Sequence, residues 1–275
     1  MAKKPPQQIA LAQNFLKSPR LARLLVEASS IISSDTVYEI GPGRGAITAE
    51  LARVARKVIA IEKDPLLAKR LYDHFGDAGN VQIIEGDFLH WRIPDREYKI
   101  LASIPYNVTA AIVRKILYVP PTPTEAYLIM QKEAAEKFSG RPKETLFSLM
   151  ARLSFDLKIV RELRRTDFIP APDVDSVLLH IRKRSQPLIL EEDLCLYRDF
   201  VRFGFGRWKK NLKLTFKPIF TYEQWRRLSR DFHFPLDATP TELTLDQWLG
   251  LFHCFQQMVS AEKRSDLKRW RDKFL

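Results

Sequence analysis

The chain has 275 residues, 45% of them hydrophobic, enough for one large domain or one domain with a smaller second one. Lysine and arginine number 45 against 33 acidic residues, and the net charge of +12 favours a polyanionic partner, nucleic acid before membrane, over a merely soluble basic surface. Two cysteines exclude a disulfide framework and provide no metal-ligand spacing, and the lack of a secretory signal or membrane-length apolar run predicts a cytoplasmic protein.

The first informative stretch is Gln13, Asn14, Phe15 and Leu16, directly before a helix predicted to begin near Pro19. Amide side chains at this place can hydrogen-bond a ligand, or they can serve as an ordinary helix cap. The local sequence leaves both interpretations open.

From residue 36 onwards, strand-like and helix-like patterns alternate. Strands are predicted at 37–40, 58–61, 81–84, 100–104 and 126–130. Helices are predicted at 46–55, 65–75, 109–117 and 132–138. This alternation predicts an α/β fold with a parallel sheet and helices on both faces. A ligand is then expected beyond the carboxyl ends of the strands.

The first strand runs into Glu-Ile-Gly-Pro-Gly-Arg-Gly at residues 39–45, with Gly41 and Gly43 at the turn. Such glycines allow a sharp strand-to-helix turn and close approach of a ligand, although the same turn also occurs for packing alone. Glu62 ends the next strand, where an acid can bind a ribose diol. A carboxylate at Glu39 would repel a pyrophosphate but suits a positively charged ligand. The pattern therefore predicts a nucleoside cofactor other than a dinucleotide.

Two further motifs follow at strand ends. Asp87 can accept a hydrogen bond from an adenine amine while Phe88 covers the ring; the alternative is a helix-capping aspartate. Ser103, Ile104, Pro105 and Tyr106 end the fourth strand, and Tyr106 is placed to stack on a flat substrate base. A rigid turn with a core tyrosine is the alternative there.

The second half of the chain is strongly basic. Arg164 and Arg165 follow strand-like residues, and a domain boundary is predicted after residue 184, giving domains of 1–184 and 185–275. The second domain shows helical periodicity throughout. Its basic cluster suits phosphate contact and base stacking, with a solvated helix face as the alternative. We predict RNA contacts at Arg164, Arg165, Arg207, Lys209, Lys210 and Lys213.

These motifs, in this order, resemble those of the ribosomal RNA adenine dimethyltransferases, which include the small-subunit enzymes and the Erm macrolide-resistance enzymes. The resemblance covers residues 12 to about 184 and includes the stretch Phe-Ile-Pro-Ala-Pro-Asp-Val-Asp-Ser-Val at 168–177. Residues 243–252 resemble the closing helix of the Erm branch, and this match together with Ile104 favours that branch.

The resemblance implies a Rossmann-like methyltransferase domain with a small all-helical C-terminal domain. It implies N6-methylation of one adenosine in 23S ribosomal RNA, naked or in early assembly, by a monomeric enzyme using S-adenosylmethionine and no metal. Macrolide, lincosamide and streptogramin B resistance would follow. The implied cofactor residues are Gln13, Asn14, Leu16, Gly41, Gly43, Glu62, Asp87, Phe88 and Ser103. The implied holders of the target adenine are Ser103, Ile104, Pro105 and Tyr106.

Ser103 departs from the family, most of which has asparagine at this position. Serine is shorter but still offers an acceptor oxygen, so the sequence leaves open whether one or two methyl groups are transferred. Two rival functions also stay open: a small-subunit dimethyltransferase, and a non-catalytic nucleic-acid-binding protein on the same fold.

Overall fold

The structure is a computed structural model that describes residues 14–206, 210–260 and 264. The chain divides into two compact units. The first contains the described residues up to 135 together with 156–183, and the second contains 136–155 and the described residues from 184 onwards.

The first unit is built on a seven-stranded sheet and a two-stranded ribbon. The strands are β1 Phe15–Leu16, β2 Thr36–Ile40, β3 Lys57–Glu62, β4 Val81–Glu85, β5 Lys99–Ser103, β6 Glu125–Gln131, β7 Phe155–Leu163, β8 Phe168–Ile169 and β9 Ser176–Lys183. The sheet has the order β4-β3-β2-β5-β6-β9-β7, while β1 and β8 pair separately as an antiparallel ribbon. Each of the five strands predicted between residues 37 and 130 is present, within a residue or two of its predicted ends.

The helices are α1 Pro19–Glu27, α2 Ala46–Val54, α3 Pro65–Phe75, α4 Thr109–Tyr118, α5 Lys132–Ser139, α6 Leu146–Ala151, α7 Leu194–Gly206, α8 Leu212–Thr215, α9 Tyr222–Asp231 and α10 Leu245–Met258. Their beginnings follow from local chemistry. The carboxylate of Asp64 accepts hydrogen bonds from the first free backbone N–H groups of α3, and Pro65 occupies the first turn. Thr221 and Thr244 each form a capping box at the start of α9 and α10.

The alternating pattern predicted a parallel sheet, and this is wrong for one strand. Strands β4, β3, β2, β5 and β6 pair in parallel, but β9 runs antiparallel to β6. β9 follows β7 in the chain and lies between β6 and β7 in the sheet. The connection from β7 to β9, residues 164–175, contains no α-helix of the kind that usually joins two parallel strands. The strand order reverses between β2 and β5, and ligands of such sheets bind at this point. The predicted α/β class with a helical second part is confirmed.

The second unit has an aromatic core. Five rings are almost completely buried and form a chain of stacked, tilted and edge-on contacts: Phe200, Phe216, Trp225, Trp248 and Phe252. The described residues of this unit contain no strand beyond the single residue Phe155. Within the described part of the whole chain, no helix has the length and apolar character needed to cross a bilayer.

The second unit begins again at residue 184, next to the predicted boundary, and it also includes residues 136–155, which the prediction placed in the first domain. Residues 136–155 belong to the second unit because Leu149 and Leu153 are buried in its core and the backbone N–H of Glu144 donates to the carbonyl of Thr241 at 3.0 Å. The side chain of Glu144 also binds Ser148 and Arg152 inside this segment. The sequence pattern gave no sign of this exchange of segments.

Candidate active site

A pocket opens at the carboxyl ends of β2, β3 and β5, and almost every motif singled out in the sequence lines it. The described cofactor and adenine residues predicted from the sequence are all there: Asn14, Leu16, Gly41, Gly43, Glu62, Asp87, Phe88, Ser103, Ile104, Pro105 and Tyr106. Gln13 lies outside the described residues. The predicted residues are therefore brought together, while their roles stay predictions.

The turn after β2 requires glycine for two separate reasons. Gly41 and Gly43 have φ values of +64° and +59°, a backbone conformation that side chains rarely tolerate. A Cβ atom added to Gly43 would also lie 2.7 Å from the ring of Phe15, which packs over the turn. The guanidinium of Arg44 lies 4.8 Å from the centre of the same ring. Phe15 and Arg44 were not predicted as site residues.

Glu62 ends β3 and is only 1% exposed, yet it lines the pocket. One carboxylate oxygen accepts the N–H of Gly43 at 3.0 Å, and the other accepts the N–H of Asp64 at 2.9 Å. These two bonds fix the orientation of the carboxylate and use one acceptor position on each oxygen. Each oxygen keeps a second acceptor position, so the pair can receive two neighbouring hydroxyl groups.

Glu39 lies in β2 beneath the glycine turn and is also 1% exposed. Burial raises the pKa of Glu39 to about 8, and the nearby carboxylate of Glu62 adds to this shift. The hydroxyl of Thr48 donates a hydrogen bond to Glu39 at 2.6 Å, which acts in the opposite direction. A cation bound beside these two carboxyl groups would favour the ionised form of Glu39. This part of the pocket is thus suited to a positively charged ligand.

Asp87 follows β4 and points a charged acceptor into the pocket. Burial alone would raise its pKa, but hydrogen bonds from the Lys63 ammonium at 2.9 Å and the Leu89 N–H at 2.9 Å outweigh that effect and lower the pKa of Asp87. Its carboxyl group is therefore ionised at neutral pH. Phe88 beside it is 4% exposed.

The Ser-Ile-Pro-Tyr motif bridges β5 and α4. Ser103 is the last residue of β5, and the N–H of Ile104 donates to the carbonyl of Ile129 at 3.2 Å. Tyr106 opens a short 3-10 turn before α4, and its hydroxyl lies 2.6 Å from the Ser176 hydroxyl at the start of β9. Ser176 belongs to the 168–177 stretch, but its contact with Tyr106 was not predicted.

The predicted RNA-contacting residues fall in both units. Arg164 and Arg165 are exposed, and Arg165 pairs with Asp175 at 3.4 Å. Lys210 is exposed and Lys213 half-buried near the start of α8. Arg207 and Lys209 lie outside the described residues. The contacts of these residues with RNA stay predictions.

Comparison with known proteins finds similarity to rRNA methyltransferases. An rRNA adenine N-6-methyltransferase of Bacteroides fragilis is 30% identical over 250 residues, covering 90% of this chain and 92% of that protein. A ribosomal RNA small subunit methyltransferase A of Acaryochloris marina is 29% identical over 260 residues, covering 90% and 96%. The crystal structure of the 23S rRNA methyltransferase ErmE superposes with a TM-score of 0.83 at 29% identity, covering 89% of this chain and 100% of that one.

The fold and the pocket define a methyltransferase of the Rossmann-like class. The sequence model of the ribosomal RNA adenine dimethylase family matches residues 6–267, and the chain belongs to that family. It is accordingly an S-adenosylmethionine-dependent rRNA adenine N6-methyltransferase.

The pocket fits the polar groups of S-adenosylmethionine. That molecule carries a ribose diol, an adenine amine and a sulfonium with a nearby ammonium. Glu62 has two oriented oxygens with acceptor positions left over, and Asp87 is an ionised acceptor. Burial, with a smaller contribution from the Glu62 carboxylate, raises the pKa of Glu39, and a bound cation would act in the opposite direction. The donor and acceptor set therefore matches the cofactor.

Proposed function

We propose that this chain methylates N6 of one specific adenosine in 23S ribosomal RNA and thereby confers resistance to macrolide, lincosamide and streptogramin B antibiotics. The observation that carries the proposal is the similarity to ErmE over the whole length of that structure. The stretch 243–252, which forms most of α10, and Ile104 in the adenine motif favour the same branch. Sequence identity alone does not separate the branches, because relatives of both kinds are about equally similar.

In this proposal the polar ends of the cofactor are held by carboxylates. Glu62 receives the ribose hydroxyls, Asp87 receives the adenine amine, and Glu39 lies near the positive charge. Phe88 covers the adenine, and the glycine turn lets the backbone approach the ligand. The remaining proposed cofactor residues are Gln13, Asn14, Leu16, Gly41, Gly43 and Ser103.

When bound, S-adenosylmethionine supplies a methyl group already activated on a sulfonium, so the protein need not provide a nucleophile. The task of the chain is to orient the target adenine. The Ser103 hydroxyl and the Ile104 carbonyl accept hydrogen bonds from the adenine amine and draw its lone pair away from the ring. Pro105 stiffens the turn, and Tyr106 stacks on the base. Leaving the RNA stack costs a few kcal/mol, part of which this stacking offsets.

Phosphate contacts would hold the RNA. Arg164 and Arg165 in the first unit and Lys210 and Lys213 in the second are proposed contacts, as are Arg207 and Lys209. Exposed cations suit phosphate because neutralising it releases counterions, which makes the binding dependent on salt. The enzyme acts on naked 23S RNA or an early assembly state as a monomer.

Expression in a macrolide-sensitive bacterium tests this function directly. Mass spectrometry of the separated 23S and 16S RNAs should find N6-methylated adenosine added to 23S RNA, and the macrolide concentration needed to stop growth should rise. Tyr106→Ala serves as a control and should reduce both effects, because it removes the ring that is proposed to stack on the target adenine. New methylation confined to 16S RNA would replace the proposal with the small-subunit function. Cofactor binding without methylation of either RNA would support a nucleic-acid-binding role.

A further inference from the structure

Lys115 lies near the end of α4 and contacts the loop that follows β4. Its ammonium donates to three backbone carbonyls, those of Phe88 at 2.5 Å, Leu89 at 3.0 Å and Trp91 at 2.5 Å. An ammonium has three N–H donors, so all of them are used here. This arrangement was not predicted from the sequence.

The three carbonyls belong to one turn, residues 87–91. Its backbone is closed by hydrogen bonds from the N–H groups of His90 and Trp91 to the carbonyl of Asp87, at 2.9 and 3.0 Å. Within the turn, the carbonyl of Phe88 also accepts the N–H of Trp91 at 3.2 Å. The lysine, which comes from a different element, donates to this carbonyl and to those of Leu89 and Trp91, near the end of the turn. Asp87 and Phe88, at the start of this turn, line the pocket.

The ammonium of Lys115 is half-buried, so it loses part of its hydration at this position. Burial lowers the pKa of Lys115, and the charge of Asp87 acts in the opposite direction. The ammonium also lies 4.8 Å from the centre of the Phe88 ring. Three carbonyls, one aromatic face and one carboxylate offset part of its loss of hydration.

Lys115 also connects two walls of the pocket. The helix that carries it follows the turn of Tyr106, and Ile112, one helical turn before Lys115, lines the pocket. The loop that it holds provides Asp87 and Phe88. Removing the ammonium would leave these two side chains attached to a turn whose carbonyls have lost their common partner.

We propose that Lys115 is a positioning residue that fixes the 87–91 turn, and that it thereby sets how well the pocket recognises the adenine base of the cofactor. The inference rests on the proposed role of Asp87 as acceptor of the adenine amine. It does not depend on which ribosomal RNA is methylated.

Calorimetry with two nucleoside probes tests the proposal without any RNA. S-adenosylhomocysteine has the 6-amino group that Asp87 is expected to accept, and S-inosylhomocysteine has a carbonyl there that Asp87 repels. The wild-type protein should bind the adenine probe roughly tenfold or more tightly, since a hydrogen bond to a charged group contributes this much. Lys115→Met should lose most of that preference while keeping the apolar stem of the side chain.

Lys99→Met is the matched control. Lys99 is another half-buried lysine of the first unit, bonded to the Ser30 carbonyl at 2.7 Å and to Asp35 at 2.9 Å, and it begins the strand whose other end reaches the pocket. Both variants should lower the melting temperature, but Lys99→Met should keep the wild-type preference for the adenine probe. Should Lys115→Met not fold, Lys115→Gln, which keeps two donors, takes its place.

The outcomes distinguish a failure of the proposed role of Asp87 from a failure of the proposed role of Lys115. A wild-type protein that does not prefer the adenine probe would refute the role of Asp87. A wild-type preference that persists in the Lys115 variant would refute the role of Lys115. Equal losses of preference in the Lys99 and Lys115 variants would mean that general destabilisation is responsible, and this also overturns the proposal.

Discussion

The pair formed by Tyr106 and Ser176 gives the sharpest test of the proposed adenine site. Their hydroxyl oxygens are 2.6 Å apart, although the residues are 70 positions apart in the chain. Ser176 is 1% exposed, whereas Tyr106 is half-buried at the pocket. Burial raises the pKa of Tyr106, and the bond to Ser176 offsets part of this, so the phenol keeps its proton at neutral pH.

The expected magnitudes follow from burial. Tyr106→Phe leaves the Ser176 hydroxyl without its partner, which should cost about 1–3 kcal/mol of unfolding free energy. Ser176→Ala should cost less, about 0.5–1.5 kcal/mol, because the tyrosine hydroxyl can reach water at the pocket. The double variant should be destabilised by less than the sum of the two single variants and should lie close to the wild type, since removing both partners of a hydrogen bond is nearly neutral.

Catalysis should respond differently. The ring is proposed to stack on the target adenine, so Tyr106→Phe should keep most of the methylation rate on a short RNA hairpin. Tyr106→Ala should lose ~1–3 kcal/mol of transition-state stabilisation. The assays are chemical denaturation of the four variants and single-turnover methylation. Additive stability changes in the double variant, within about 0.3–0.5 kcal/mol, would refute the coupling. Equal rates for Tyr106→Ala and wild type would refute the stacking.

Glu62→Ala should weaken S-adenosylmethionine binding by about 1.5–3 kcal/mol for each charged hydrogen bond lost, and unchanged affinity by calorimetry would rule out its role. Because burial raises the pKa of Glu39 from 4.5 to about 8, the ligand-free protein should lose stability as pH rises through that window, and Glu39→Gln should flatten the loss in thermal melts. Identical pH slopes would contradict this. Ser103→Asn should maintain or raise the dimethyladenosine fraction measured by mass spectrometry. Ser103→Ala should lower turnover without changing cofactor affinity. If Ser103→Ala has the wild-type rate and product ratio, the side chain has no catalytic role and the backbone carbonyl of Ile104 alone would contact the adenine amine. Neutralising Lys210 and Lys213 should reduce the salt dependence of RNA binding by ~0.7–0.9 in slope per lost contact, and an unchanged slope would assign them to a solvated face.

The positions of the site motifs were predictable because they depend on local patterns. Strand and helix periods place the motifs at strand ends, and parallel strands bring those ends to one edge of the sheet. Gly41, Glu62, Asp87 and Tyr106 therefore meet at one pocket as expected. The hydrogen-bonding and stacking capacity of these side chains could also be inferred from the sequence, since it depends on residue type.

Local patterns along the chain were therefore enough to predict the alternation of elements, the pocket residues and the resemblance to the family. Other features could be seen only in the folded structure: the antiparallel insertion of β9, the ribbon of β1 and β8, the assignment of residues 136–155 to the second unit, and the contacts of Lys115 and Ser176. These features join residues far apart in the chain. Their free energy depends on which surfaces meet after folding, and periodicity along the chain carries no information about that choice.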